Sequence, residues 1–178
     1  MPIPPSGLPH PDSPPPQPDW GGRTARELVD HLLVTHHRRS RDLLALLEPL
    51  ATECASRLGS EQPQLAKAVD ALKLLGEELL AHLEHEEQEL FPLLLALEAE
   101  DRTLPPVWER ETSLVKVHRD HDHAEELLQD LRILTGDYRV PAGADPLVAS
   151  LYDGLRELDQ DLQLHLEIEN RWLFSRAD

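Results

Sequence analysis

Apolar residues along most of this chain recur every three to four positions, the spacing of a helix with one buried face. The first such run begins at Thr24, where Thr24-Ala25-Arg26-Glu27 reads as a capping box, hydroxyl and carboxylate satisfying free amide donors. Leu28, Leu32, Leu43, Leu44, Leu47 and Leu50 follow at helical period, and Pro49 is predicted to kink or end the helix. Gly59-Ser60 breaks the chain, with Ser60 predicted to cap a second helix that has Pro63 in its first turn and runs to about Glu98. Its inner side carries Leu72, Leu75, Leu79, His82, Glu86 and Leu90, and Pro92 is predicted to distort it beyond them. Pro105-Pro106 restart the chain into a third helix with Leu114, Val117, His121, Leu128 and Leu131 inward, stopped after Thr135 by Gly136. A loop from Asp137 to Ala144 leads to Asp145-Pro146, a cap followed by Pro at the first helical position. The fourth helix then places Leu151, Leu155, Leu158, Leu162, His165, Glu169 and Phe174 inward. Four helices of about 30 residues, at 1.5 Å rise, predict an all-α, up-down-up-down four-helix bundle on the order of 45 Å long.

The pattern is doubled. His82-Leu83-Glu84-His85-Glu86 runs on to Leu90-Phe91, and His165-Leu166-Glu167-Ile168-Glu169 runs on to Leu173-Phe174, 83 positions later. A weaker phrase repeats at nearly the same offset: His37 precedes Leu43, Leu44 and Leu47 as His121 precedes Leu127, Leu128 and Leu131. The chain therefore reads as two copies of one unit, a helix with one inward His and a helix with His-x-x-x-Glu.

Composition agrees with helices packed by aliphatic side chains. Aromatic residues are only 4% against 40% hydrophobic overall, which disfavours a sheet. Of 16 prolines, nine lie within the first 18 residues. Residues 1–19 are accordingly a Pro-rich tail expected to be disordered, a tether or a ligand for a proline-binding module, and residues 20–178 form the bundle. The net charge of −17 repels nucleic acid and anionic membrane surfaces, so neither is expected as a partner. One cysteine, Cys54, excludes a disulfide framework and a thiolate metal cluster; a buried structural thiol is its expected role. No apolar stretch is long enough to cross a bilayer and no secretory leader is visible, which makes the cytoplasm the default compartment.

The doubled residues carry the chemistry. Residues four apart on a helix share a face, so His82 with Glu86, and His165 with Glu169, can converge on one site. A lone His-x-x-x-Glu pair is weak evidence, because most are solvated surface partners. Here the pair occurs twice, each on an apolar face where a carboxylate is costly unless it is paired or bound to a cation. His37 and His121 add one inward imidazole each. His37, His82, Glu86, His121, His165 and Glu169 are thus the inventory of a dinuclear metal site. His85 with Glu89 is a false register, since the second copy has Ile168 and Trp172 there, and His36 is answered by Asp120. His31, His36, His85, His118 and His123 are read as surface or supporting polar residues, with His118 and Asp120 the foremost candidates to support His121. Four imidazoles and two carboxylates without thiolate suit iron or manganese over structural zinc. Two bridging carboxylates and a bridging oxo or hydroxo group would leave one open position per ion. A metal-free bundle is the bland alternative, and it leaves the buried Glu pair uncompensated.

These residues resemble hemerythrin-like di-iron proteins, and most of all the C-terminal domain of the iron–sulfur cluster repair (RIC) family. The resemblance covers roughly residues 25–176 and rests on His37, on HLEHEEQELFP, on RDHDHAEELL and on HLEIENRWLF. It implies a non-haem di-iron centre, oxo- or hydroxo-bridged, with both Glu bridging. It further implies a protein that handles nitric oxide or oxygen, or donates iron to damaged clusters of iron–sulfur proteins under stress. A hemerythrin-like sensor or store of oxygen or nitric oxide, without turnover, is the alternative. Oxygen-carrying hemerythrins are less similar: they place a fifth His one turn from the third-helix ligand, where this chain has Val117 and Glu125, and end on Asp rather than Glu169. Where family members often carry an N-terminal domain with a functional Cys region, this chain has the Pro-rich tail. Ser175 stands where a Pro usually follows Leu-Phe, and Asp120 where a Glu usually precedes the third-helix His.

Overall fold

The computed structural model describes residues 20–99 and 104–176. The Pro-rich tail of residues 1–19 lies outside them. The described chain is an up-down-up-down bundle of four helices. The first spans residues 25–58, the second 63–98, the third Val107–Thr135 and the fourth 146–176. The second packs most closely on the third and the first on the fourth, whereas the third and fourth touch least.

The predicted caps of the first and fourth helices are present. Thr24 accepts from Glu27 N while the Glu27 carboxylate takes the Thr24 amide. Asp145 accepts from Leu147 N at 2.8 Å. Gly136 ends the third helix at φ 62°, a left-handed conformation that costs glycine little. A further cap comes from across the bundle: the Glu98 carboxylate receives the Ala25 amide at 2.8 Å, tying the end of the second helix to the start of the first.

Three local expectations need correction. Pro49 neither ends nor divides the first helix, which continues to Leu58. Pro49 and Ala45, whose carbonyl loses its donor, both lie on the exposed side, while Leu47, Ala51 and Cys54 on the other side are buried. Ser60 does not cap the second helix, which starts at Pro63 behind Gln62 with no side-chain cap. Pro63 has no amide to satisfy, and the turn before it is closed by Gln62 N donating to Leu58 O at 2.9 Å. Pro92 causes no break either: it sits within the first two positions of the helical stretch Phe91–Glu98.

The apolar interior falls into two clusters. The larger includes Leu47, Leu75, Leu79, Leu83, Leu128, Leu155, Leu158, Leu162 and the fully buried Cys54. The smaller joins Leu28, Leu32, Leu90, Phe91, Val117, Leu173 and Phe174. In sequence, His37, Glu86, His121 and His165 each lie between residues of one cluster and residues of the other, so the polar layer is capped by aliphatic and aromatic packing above and below. At Gly154 the fourth helix packs tightly on the first, since a Cβ there would stand 2.7 Å from Leu47 Cδ2.

Candidate metal centre

Three of the four helices widen at this layer. Arg38 N–H bonds to Leu33 O, Phe91 N–H to Glu86 O and Phe174 N–H to Glu169 O, each five residues back, closing π-type turns over Leu32–His37, Glu86–Leu90 and Glu169–Leu173. The same widening occurs before Pro92 and before Ser175, so proline is not its cause. Each turn begins or ends on a candidate ligand, in keeping with the tendency of single π-type turns to mark functional sites. The extra residue also advances the face that follows. Leu90, Phe91 and Leu94 are buried after Glu86, and Glu89 is turned out to solvent at 69% side-chain exposure.

All six candidate ligands are brought together and all are buried. They form two groups of four whose ligand atoms lie within 4.8 Å of one another: His37, Glu86, His165 and Glu169, and His82, Glu86, His121 and Glu169. Both glutamates belong to both groups. Each group draws its two histidines from different copies of the repeat, one set across the first and fourth helices and the other across the second and third. His82 and Glu86 approach to 3.2 Å, His165 and Glu169 to 2.8 Å, and His121 and Glu169 to 3.3 Å.

Hydrogen bonds from outside the layer set two of the tautomers. His37 Nδ1 stands 2.9 Å from Glu87 Oε1. A carboxylate only accepts, so His37 carries its proton on Nδ1 and, when neutral, presents a lone pair at Nε2. That nitrogen faces Glu86 at 3.5 Å and Glu169 at 3.8 Å. His121 Nδ1 meets Asn170 Oδ1 at 3.0 Å, and its Nε2 meets His82 Nε2 at 3.2 Å. Lone pairs therefore converge on carboxylates and on one another. His37 Nε2, both Glu86 oxygens and Glu169 Oε2 are buried without a hydrogen-bond partner among the described residues. Such a set is repulsive without a positive charge at its centre and suits a cation in each group.

The proton affinities express the same frustration. Burial and the Glu169 charge push the Glu86 carboxyl well above the usual carboxylate range. Burial acts upward on Glu169 too, but His165, His121 and His37 outweigh it and hold Glu169 well below that range. When no cation is present, the proton of the pair thus rests on Glu86 and Glu169 stays ionised. Burial lowers His165 and pushes His82 down to about 3, so both imidazoles are neutral and free to ligate at neutral pH.

The residues behind the ligands differ from those expected. His118 is turned onto its own helix, bonded to Leu114 O at 2.8 Å, and Asp120 pairs with Lys116 at 3.3 Å. The partners of the candidate ligand rings His37 and His121 are Glu87 and Asn170. They were legible as a doubled position, each directly following a candidate bridging Glu and 83 residues apart. His36 is buried behind His165, ring stacked at 5.7 Å, with its Nδ1 on Asp161 at 3.0 Å. His31 and His85 stay outside the layer, paired with Thr35 and Glu89. Glu125 is exposed.

A cavity of about 430 Å³ opens onto one side of the layer. His82, His121 and His165 border it, along with Leu79, Leu162 and Leu166. Lys116, Arg119 and the ion pair of His123 with Glu78, at 2.7 Å, stand around it. A small molecule entering there meets mostly apolar walls and then the imidazoles.

Comparison with known proteins agrees with this geometry. The hemerythrin HHE cation binding domain matches residues 28–177. The iron-sulfur cluster repair protein YtfE of Escherichia coli O1:K1 / APEC is 32% identical over 160 residues, covering 89% of this chain and 69% of that protein. The proteins of the same name from Escherichia coli SMS-3-5 / SECEC and Escherichia fergusonii match to the same extent.

Proposed function

This chain belongs to the hemerythrin HHE cation binding domain family, and from that premise we propose that it is a cytoplasmic non-haem di-iron protein of the cluster-repair type. Residues 20–178 act as one hemerythrin-like unit behind the Pro-rich tail of residues 1–19. His37 and His165 would hold one iron and His82 and His121 the other, with Glu86 and Glu169 common to both groups. The observation that carries this reading is that both buried glutamates complete both four-residue groups. Its work is to handle nitric oxide or oxygen, or to supply iron to damaged iron–sulfur proteins; the name of its relatives, iron-sulfur cluster repair protein, supports a role at damaged clusters.

Two ions held this way supply Lewis acidity, one-electron redox change and open positions for a small ligand. The chain's own residues do the rest. Glu87 and Asn170 fix the His37 and His121 rings by holding the nitrogen that faces away from the layer. Leu79, Leu162 and Leu166 line the approach and disfavour water over an uncharged diatomic molecule. No helix among the described residues is long and apolar enough to cross a membrane.

Metal analysis and an ultraviolet–visible spectrum before and after nitric oxide, under anaerobic reduction, test the proposal. About two irons per chain and an absorption that responds to nitric oxide are expected. His82→Ala and His165→Ala should each lose metal while far-UV circular dichroism stays helical. Iron transfer to a damaged cluster protein supports the repair role, and reversible binding without consumption or transfer supports the sensor. Unchanged metal content in both variants, or one zinc per chain, overturns the six-ligand reading.

A further inference from the structure

The internal repeat exchanges the two cation positions: His37 answers to His121, His82 to His165 and Glu86 to Glu169. A perfect repeat would make the positions equal. The residues behind them are not equal. At the doubled position after the bridging glutamate, one copy has Glu87 and the other Asn170. Glu87 places a carboxylate on His37 Nδ1 and is itself fixed by Arg41, whose Nη1 donates to the same oxygen at 2.8 Å. Asn170 offers His121 a neutral amide and is exposed. A carboxylate behind an imidazole makes the ring a stronger donor to a cation than an amide does. Access is unequal as well. Both histidines of one position, His82 and His121, border the cavity, whereas of the other position only His165 does and His37 is set away from it, fully buried.

Resting on the two-ion reading above, we propose that the two positions are inequivalent and that Glu87 is the positioning residue that makes them so. The position of His37 and His165 fills first and retains its ion. The position of His82 and His121 fills second and exchanges through the cavity.

The test is titration of metal-free protein with cobalt(II), followed by its visible absorption, with release to a chelator timed afterwards. Wild type is expected to bind two ions in two resolved steps and release them in two phases. His82→Ala should keep the first step and lose the second, and His165→Ala should lose the first. Glu87→Gln should weaken the first step by about 10- to 100-fold and bring the two together. Asn170→Glu should tighten the second step, and this variant keeps the proposal testable if Glu87→Gln proves unstable. Two ions bound in a single step, or a first step indifferent to Glu87→Gln, overturns the inference and leaves the two-ion reading standing. Fewer than two ions on wild type overturns both.

Discussion

Replacing Glu86 by Gln should act in opposite directions on the metal-free and the metal-loaded protein. Without metal, Glu86 is at 0% exposure, and burial with the Glu169 charge raises its carboxyl well above 4.5. A group raised in this way contributes stability that is full below its unfolded value and is lost as pH rises through its folded value. In that window the folded chain keeps a proton that the unfolded chain releases, so each pH unit weakens folding by up to about 1.4 kcal/mol. Gln carries no such proton. The stability of Glu86→Gln relative to wild type should therefore climb with pH above the unfolded value, by at most about 1.4 kcal/mol per pH unit. His82 and His165, lowered by burial, tilt both proteins the other way below about pH 6.5 and cancel in the comparison. With metal the order reverses, because each ion bound at a hundredfold its dissociation constant adds about 2.7 kcal/mol and the variant loses a shared ligand of both. The assay is urea unfolding by far-UV circular dichroism at pH 5, 6 and 7, in chelator and in anaerobic excess ferrous ion. A difference in chelator that does not change with pH would mean that Glu86 is ionised in the folded metal-free chain, and the account of the frustrated layer would fail.

Away from the layer, Asp159 is buried and accepts from Arg132 at 2.7 Å and from the Tyr138 hydroxyl at 2.8 Å, so Asp159→Ala should cost roughly 2–4 kcal/mol in urea or thermal unfolding. Tyr138→Phe removes only the hydroxyl and should cost about 1 kcal/mol; equal losses in the two variants would deny that Arg132 contributes. Leu47 is at 0% exposure against Gly154, and Leu47→Ala should lose about 2–5 kcal/mol, with a loss below 1 arguing that the first and fourth helices close over the gap. Gly136→Ala places a Cβ in the left-handed region at φ 62° and should cost about 1–2 kcal/mol, measurable as a lowered midpoint with unchanged helicity.

The sequence by itself determined which residues make the layer. A helix puts positions four apart on one face, so His82 with Glu86 and His165 with Glu169 were legible from local geometry. The second copy then dismissed His85 and His36 without any contact being known. Thr24, Gly136 and Asp145-Pro146 were legible for the same reason, since caps are satisfied within a few residues. Where local signals misled, packing had overridden them. Pro49 is tolerated because its missing bond lies on the solvent side, and Ser60 is idle because Pro63 opens the helix without needing it.

Only the tertiary structure decided how the four histidines are shared. The repeat alone does not say which inward His of the first and third helices joins which His-x-x-x-Glu pair. The bundle sets His37 with His165 and His82 with His121, because each group is built between helices of different copies. The Glu98 cap on Ala25 and the cavity bordered by His82, His121 and His165 likewise depend on contacts between residues far apart in the chain. A repeat fixes what each helix presents inward. Which side chains then meet is set by how four helices pack, and that is a property of the whole bundle rather than of any segment.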